Sequence, residues 1–328
     1  MNPQPIVHHS GKLVTGMIVA QSLLFIILLS ILLVKSASLM ITSSSKIARH
    51  FKISEYTVSF LVIAFATSLP ELMVGIVSAL DGKPSLSYGN VLGSNIADLT
   101  IILAIPILVG GAIATQEIVR NKDLIHTAFF GVLPLILMLD GVLSKFDGLG
   151  LLVSYFFYLF LVLRRSSVSE SIAQNFVKTN VLKNLLFFLF SVVLLLISSD
   201  LLVKVAENLS IAAGLPIIFV GLTLTAVGTS LPELTFGLKA IKTHHKGEVL
   251  GNIVGSVVAN STLVLGVTAI LSPILANGDI GMSSVGFLIL TLALFLIFGF
   301  RKKLGKTEAL IFLALYIIFI LTEQLFLV

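Results

Sequence analysis

An internal repeat constrains this chain more than any other feature. Residues 64–71 read Ala-Phe-Ala-Thr-Ser-Leu-Pro-Glu, and residues 226–233 read Ala-Val-Gly-Thr-Ser-Leu-Pro-Glu. Farther on, Gly-Asn-Val-Leu-Gly-Ser at 89–94 returns as Gly-Asn-Ile-Val-Gly-Ser at 251–256. Both blocks recur at the same offset of 162 residues (229 − 67 and 256 − 94), so no gap is needed to align them. The sequence therefore predicts two copies of one folding unit.

The composition is that of a membrane protein. Of the 328 residues, 57% are hydrophobic and 11% are charged, whereas a soluble domain carries about 25% charged residues. The chain has no cysteine, which excludes disulfides, thiolate metal sites and cysteine nucleophiles. The net charge of +5 is spread over short loops, so we attribute it to orientation in a lipid bilayer and not to nucleic-acid binding.

Ten apolar stretches are long enough to cross a bilayer, since a spanning helix needs about 20 mostly apolar residues. They are residues 15–41, 54–80, 87–111, 124–140, 147–164, 182–207, 216–241, 248–273, 281–299 and 308–327. The polar segment 165–181 divides a first repeat, 1–164 with spans 1–5, from a second repeat, 182–328 with spans 6–10. The predicted fold class is an all-α polytopic membrane protein.

The basic residues predict the orientation of the spans. With the N-terminus outside, the cytoplasmic loops hold 16 Lys and Arg residues: Lys46, Arg49, Lys52, Arg120, Lys122, Arg164, Arg165, Lys178, Lys183, Lys239, Lys242, Lys246, Arg301, Lys302, Lys303 and Lys306. The opposite side holds 4: Lys12, Lys83, Lys145 and Lys204. This asymmetry predicts a plasma-membrane protein with a cytoplasmic linker and both termini extracytoplasmic. Because each repeat has an odd number of spans, the second is inverted relative to the first, as in many secondary transporters.

The first repeated motif gathers oxygen ligands on one wall of a helix. Thr67 and Glu71 are four residues apart and share a helical face. Pro70 has no N–H, so the carbonyl of Ala66 loses its helical partner. Freed carbonyls at bilayer depth must be buried or face a cavity. Span 7 repeats the set with Thr229, Ser230, Pro232, Glu233 and the carbonyl of Gly228.

The second motif adds polar side chains from spans 3 and 8. Ser94 and Asp98 are four residues apart, as are Ser256 and Asn260. The glycines at 89, 93, 251 and 255 would let these spans approach a neighbour closely. We expect Glu71, Glu233, Asp98 and Asn260 to face one centre, where three carboxylates need cations. With neither His nor Cys among them, Ca²⁺ or Na⁺ is favoured over a transition metal.

The doubled Thr-Ser-Leu-Pro-Glu, followed by Gly-Asn-x-x-Gly-Ser, resembles the two alpha repeats of the sodium/calcium exchangers in the calcium/cation antiporter superfamily. Residues 47–51, Ile-Ala-Arg-His-Phe, resemble its prokaryotic members. The resemblance implies an antiporter without enzymatic activity or cofactor, with four cation sites between spans 2, 3, 7 and 8. It also implies alternating access by sliding of spans 1 and 6. The implied ligands are the side chains of Thr67, Ser68, Glu71, Ser94, Asp98, Thr229, Ser230, Glu233, Ser256 and Asn260, with the carbonyls of Ala64 and Ala226.

Two departures from the family pattern bear on ion preference. Ala66 occupies a position where the motif usually has glycine, as it does at Gly228. The acid–amide pair has Asp98 in the first repeat and Asn260 in the second, whereas some relatives have the reverse order. The total of three carboxylates is retained.

Other functions remain open on the sequence alone. An H⁺/Ca²⁺ or other cation antiporter of the same fold needs only titratable acids, whereas the many hydroxyls and carbonyls suit Na⁺. A channel usually builds its pore from rings of repeated elements, and an intramembrane enzyme needs a nucleophile–base pair or a metal-binding His motif. The expected partners are Ca²⁺, Na⁺ and the bilayer, with H⁺ as the alternative coupling ion and no obligate protein partner evident.

The predicted orientation can be tested in this cysteine-free chain. We expect Ser10→Cys to react with a membrane-impermeant thiol reagent added to intact cells, and Ser167→Cys to react only after the cells are opened. Labelling of Ser167→Cys alone in intact cells would reverse the orientation.

Overall fold

The structure is a computed structural model. It describes residues 7–50, 68–115, 121–166, 180–242, 246–275, 282–301 and 303–325.

The described residues are mostly helical. The helices are α1 (Val7–His50), α2 (Leu69–Leu80), α3 (Pro84–Gly110), α4 (Asn121–Leu137), α5 (Lys145–Ser166), α6 (Val181–Ala213), α7 (Ile217–Lys242), α8 (Gly247–Val258, continued by Ala259–Val264 and Leu265–Leu271), α9 (Met282–Gly299) and α10 (Lys306–Leu325). Within these ranges, 8 helices are long and apolar enough to cross a membrane, while α2 and α9 are shorter. A helical multi-pass membrane protein is thereby confirmed. The count of ten spans and the inversion of the second repeat stay predictions.

Two helices extend well beyond their predicted spans. Helix α1 has 44 residues and α6 has 33, although the apolar stretches predicted only 15–41 and 182–207. Hydropathy marks the part of a helix that lies in lipid, and a helix continues until its backbone is interrupted. For α6 the interruption is Gly214, whose left-handed conformation (φ 66°) ends the helix.

Three helices contain a stretch of π-helix. These stretches are Asp98–Ile102 in α3, Gly221–Thr225 in α7 and Ala259–Val264 in α8. The first and third are equivalent in the repeat, because Asp98 and Asn260 are 162 residues apart. A π-bulge adds one residue to a turn and occurs often at functional sites. Apolar periodicity did not predict these bulges, since one extra residue hardly changes a short pattern.

Helices α3 and α8 form the centre of the molecule. Their spanning segments are 83% and 89% buried, against 22–56% for the other spanning helices described. Helix α3 packs against α2, α7 and α10, and α8 packs against α2, α4 and α5. One large apolar cluster joins these helices. The two helices that carry the second motif are therefore the ones most completely shielded from lipid.

Helices α1 and α6 form a pair with a separate apolar cluster. They pack along each other over a long stretch, and Leu33 of α1 and Leu202 of α6 are both fully buried there. Ser36 donates to the carbonyl of Leu32 and Ser198 to that of Leu194, whereas the buried hydroxyl of Ser30 has no partner within the described residues. The cluster meets the rest of the molecule at a few apolar side chains: Val74, Leu86 and Val220.

Two short antiparallel strand pairs connect the halves of the chain. Strand β1 (Ile113–Ala114) pairs with β4 (Lys303–Leu304), and β2 (Val142–Leu143) pairs with β3 (Ile274–Leu275). The offset of 162 relates position 113 to 275 and position 142 to 304. Each pair therefore joins one strand of the first repeat to the non-equivalent strand of the second. This exchange is what a two-fold relation between the repeats would produce.

Glycines allow the backbones of α3 and α7 to touch. A Cβ placed on Gly89 would lie 2.2 Å from the carbonyl oxygen of Ile218, and one on Gly93 would lie 2.0 Å from that of Leu222. No real Cβ tolerates such distances, so only glycine fits. The predicted close approach is confirmed for Gly89 and Gly93, and stays a prediction for the glycines at 251 and 255.

We expect Gly93→Ala to destabilise the protein by about 1–3 kcal/mol or more, because the added methyl collides with backbone and not with a movable side chain. Gly150→Ala is the matched control, since nothing lies within 4 Å of a Cβ added there, and a helical Gly→Ala change is favourable by up to about 1 kcal/mol. Thermal unfolding in detergent measures both. Equal stability of Gly93→Ala and the wild type would contradict the contact.

Candidate cation site

In each repeated motif a helical segment begins directly after the serine. Ser68 (φ −86°, ψ 8°) precedes α2, and Ser230 (φ −82°, ψ 5°) separates two helical segments within α7. Both lie in the sparsely populated region near φ −90°, ψ 0°, where many functional residues are found. The proline two residues later is tolerated because it falls in the first turn of the new helix. The sequence predicted a helix opened by Pro70 and Pro232. In the second motif the structure gives a break at Ser230, two residues before Pro232, while the residues before Ser68 lie outside the described ranges.

Ser94 brings the two motifs together at the first group of oxygens. Its hydroxyl lies 3.5 Å from Oε1 of Glu71, 3.4 Å from the carbonyl oxygen of Ala226 and 3.4 Å from the hydroxyl of Thr229. All four residues, Ser94, Glu71, Ala226 and Thr229, are completely buried. A carboxylate from one repeat thus lies beside a hydroxyl and a carbonyl from the other.

A second group of oxygens surrounds Glu233. The hydroxyl of Ser256 donates to Oε1 of Glu233 at 2.9 Å and lies 3.3 Å from the hydroxyl of Ser68. The pairs Glu71–Ser94 and Glu233–Ser256 are equivalent in the repeat, since both residues shift by 162. The site thus has two matched halves, each closed by a serine from α3 or α8.

Asp98 and Asn260 occupy the π-helical stretches of α3 and α8. Both are completely buried. The hydroxyls of Ser230 and Ser256 lie beside Asp98, and Asp98 is close enough to repel both glutamates electrostatically. Asp98 and Asn260, which differ between the repeats, therefore face the same region as the repeated Glu and Ser residues.

Many polar atoms at this site have no hydrogen-bond partner within the described part of the chain. They are Oε2 of Glu71, Oε2 of Glu233, both carboxylate oxygens of Asp98, the hydroxyl of Ser230 and both amide atoms of Asn260. Leaving a buried polar group unpaired costs about 1–3 kcal/mol, and more for a charged one. A cluster of unpaired oxygens lined by hydroxyls fits a dehydrated hard cation.

The carboxylates do not form a compact metal cluster. In the described ranges, no group of three His, Cys, Asp or Glu side chains is arranged to hold one metal ion. A cation here would take much of its coordination from hydroxyls, amides and backbone carbonyls. The geometry suits several neighbouring positions for cations better than one position shared by all three acids.

Two predicted ligands, Ala64 and Thr67, lie outside the described residues. The other ten lie at the start of α2, at the break in α7 or on the facing parts of α3 and α8. The structure adds Asn90, which sequence reasoning did not select: its Oδ1 accepts a hydrogen bond of 3.2 Å from the hydroxyl of Thr229. The repeat carried the signal, since Asn252 is the equivalent residue 162 positions later. Lys35, the basic residue within the apolar stretch 15–41, is exposed on α1.

The chain is similar to known proteins over most of its length. A model of the family described as sodium/calcium exchanger protein matches residues 21–164 and 183–323. An uncharacterized membrane protein of Methanocaldococcus jannaschii is 30% identical over 290 residues, 88% of this chain and 93% of that protein. The sodium/calcium exchanger MaX1 of Methanosarcina acetivorans is 23% identical over 340 residues, 90% and 97% of the two chains.

Among solved structures, the sodium-calcium exchanger NCX_Mj soaked with Na⁺ and Sr²⁺ superimposes with a TM-score of 0.65 at 29% identity, covering 91% of this chain and 97% of that one. The family consists of ion transporters, in agreement with the prediction of a non-enzyme. With its repeated motifs, its buried cluster of oxygens and these likenesses over nearly the whole length, this multi-pass membrane chain belongs to the sodium/calcium exchanger family.

Proposed function

We propose that the protein is a secondary antiporter of the plasma membrane that exchanges Na⁺ for Ca²⁺ by alternating access. The observation that carries this proposal is the pair of repeat-equivalent Glu–Ser contacts, Glu71–Ser94 and Glu233–Ser256, buried side by side with unpaired carboxylate oxygens. Membership of the family supports antiport of Ca²⁺ or a similar cation. The choice of Na⁺ as the coupling ion is ours.

Ca²⁺ would bind between the two glutamates. Glu71 and Glu233 each keep one carboxylate oxygen unpaired, and they are close enough to repel each other electrostatically. Ca²⁺ takes 6–8 oxygen ligands and prefers carboxylates together with carbonyls and hydroxyls. Ser68 and Ser256, which lie against each other beside Glu233, would complete its coordination.

Na⁺ would bind where neutral oxygens outnumber carboxylates. The hydroxyl of Ser94 lies among a single carboxylate oxygen of Glu71, the hydroxyl of Thr229 and the carbonyl of Ala226. One negative charge with several dipoles balances a monovalent ion better than a divalent one. By the repeat, the equivalent position near Glu233 would use Ser256 and the predicted ligands Ala64 and Thr67.

The proposed architecture is ten spans in two inverted repeats, with the 165–181 linker in the cytoplasm. The strand pairs β1–β4 and β2–β3, which exchange partners between the halves, support a two-fold relation. Helices α1 and α6 would slide past the other helices, which is supported by the mainly apolar cluster through which they contact Val74, Leu86 and Val220. Such sliding would expose the site to each side in turn.

Reconstituted protein distinguishes this function from H⁺/Ca²⁺ antiport. In proteoliposomes, we expect an outward Na⁺ gradient to drive Ca²⁺ uptake and a proton gradient of equal size to drive little. Uptake driven only by protons would establish the alternative antiporter. Ca²⁺ flux that runs down its own gradient with no coupling ion would indicate a channel.

We expect Glu71→Gln and Glu233→Gln each to abolish exchange, with a loss of at least roughly thirtyfold, since removing one charge from a buried set costs about 2–5 kcal/mol. Glu323→Gln is the matched control. Glu323 is also buried and accepts hydrogen bonds from Ser283 and Ser284, but it lies on α10 outside the site. Near-normal Ca²⁺ uptake by either site mutant would refute a shared Ca²⁺ position.

We also expect transport to be electrogenic, with Asp98 contributing. Three Na⁺ would neutralise Glu71, Glu233 and Asp98, whereas one Ca²⁺ leaves one charge over, so a three-for-one exchange moves net charge worth about 2.3 kcal/mol per 100 mV. Asp98→Asn should weaken Na⁺ dependence more than Ca²⁺ binding. The double change Asp98→Asn with Asn260→Asp restores three carboxylates and should recover Na⁺ dependence.

The measurement for Asp98 is Na⁺-driven Ca²⁺ flux at potentials clamped with K⁺ and valinomycin. Flux in the wild type that does not respond to voltage would contradict the three-for-one exchange. Loss of Ca²⁺ binding before Na⁺ dependence in Asp98→Asn would identify Asp98 as a Ca²⁺ ligand instead.

A further inference from the structure

Asn90 is held beside the proposed Na⁺ position by the tightest helix contact in the described structure. Its neighbours Gly89 and Gly93 press against the backbone of α7, and a Cβ added to Gly221 would lie 3.0 Å from the backbone nitrogen of Asn90. The residue is completely buried. Its side chain therefore cannot leave the α3–α7 interface without separating the two helices.

The contact of Asn90 with Thr229 gives the hydroxyl proton of Thr229 an acceptor that is not one of the proposed ligands. Thr229 has one proton and two lone pairs on its hydroxyl. Its hydroxyl lies 3.2 Å from Oδ1 of Asn90 and 3.3 Å from the carbonyl oxygen of Ala226. A cation needs the lone pairs of Thr229 and also the carbonyl of Ala226. If Thr229 donates its proton to Asn90, the lone pairs of Thr229 and the carbonyl of Ala226 both stay available to the cation. If Thr229 donates to Ala226 instead, its hydroxyl and that carbonyl bind each other.

We propose that Asn90 is a positioning residue for Na⁺, whose Oδ1 accepts the Thr229 proton and so directs the oxygens of Thr229 and Ala226 toward the ion. Asn90 touches no ion itself and acts only through Thr229. The inference rests on the proposed Na⁺/Ca²⁺ exchange and adds a determinant of its Na⁺ affinity. Since the proposed Ca²⁺ position depends mainly on Glu71 and Glu233, Asn90 should matter less for Ca²⁺.

A double-mutant cycle on full-length protein in proteoliposomes tests this role, using Asn90→Leu, Thr229→Val and the combination. The readouts are the Na⁺ concentration for half-maximal Ca²⁺ flux and the KM for Ca²⁺. We expect Asn90→Leu to raise half-saturating Na⁺ by roughly three- to tenfold, the value of one buried hydrogen bond, and to change the KM for Ca²⁺ by less than about half that factor. In the Thr229→Val background, Asn90→Leu should have no further effect on Na⁺, because the proton it accepts is absent.

Two variants separate positioning from packing. Asn90→Asp keeps an acceptor of the same shape and should hold half-saturating Na⁺ nearer the wild type than Asn90→Leu does. Ser87→Ala, on the same helix, removes another buried hydrogen bond, that of 2.9 Å to Thr268, and should lower thermal stability without changing half-saturating Na⁺. If Asn90→Leu does not fold, Asn90→Ala removes the same acceptor with less bulk.

The outcomes distinguish this inference from the proposed function. The role of Asn90 would be overturned if the effects of Asn90→Leu and Thr229→Val on half-saturating Na⁺ were independent, so that the double mutant showed their product. Equal shifts in Na⁺ and Ca²⁺ dependence would overturn it too. Either result would leave Na⁺/Ca²⁺ exchange intact. Wild-type flux that ignores Na⁺ would overturn the proposed function and this inference with it.

Discussion

Polar groups at bilayer depth must be satisfied inside the protein, because hydrocarbon offers them no hydrogen bonds. The structure depends on this constraint more than on any single contact. The motifs place the carboxylates of Glu71 and Glu233 beside the non-helical serines Ser68 and Ser230. These polar groups are tolerable only because α3 and α8 cover them. The spanning segments of α3 and α8 are themselves more than four fifths shielded from lipid. The unpaired oxygens of Glu71, Glu233 and Asp98 are ones that a bound cation would satisfy.

The two halves match in backbone and differ in chemistry. The non-helical serines, the Glu–Ser pairs and two of the π-bulges recur at the repeat offset. Yet Gly75 of α2 meets the hydroxyls of Ser87 and Thr268, while its equivalent Gly237 meets the side chains of Pro106 and Val249. With Asp98 opposite Asn260, these differences make the environments on the two sides of the site unequal. An antiporter that carries two kinds of ion needs such unequal positions.

The pair α1–α6 touches the site without being fixed to it. A Cβ added to Gly228 would lie 2.1 Å from the hydroxyl oxygen of Ser30 on α1. Helix α1 therefore passes directly beside Thr229. The ion pair from Lys83 to Glu207 of α6 measures 2.5 Å and is partly exposed, and such pairs contribute only about 0–1 kcal/mol.

The sequence by itself determined the membrane class, the repeat and most of the residues at the site. An oxygen-rich motif at bilayer depth is costly unless it binds a cation, and its constant offset excludes coincidence. Hydropathy located the spans but not the ends of α1 and α6, since apolar content measures contact with lipid and not the continuity of the backbone. Only the tertiary structure decided that α7 breaks at Ser230, that π-bulges carry Asp98 and Asn260, and that Asn90 meets Thr229 across 139 residues of sequence. These features depend on where α3 meets α7 and α8, and a local pattern does not encode the distance between two helices.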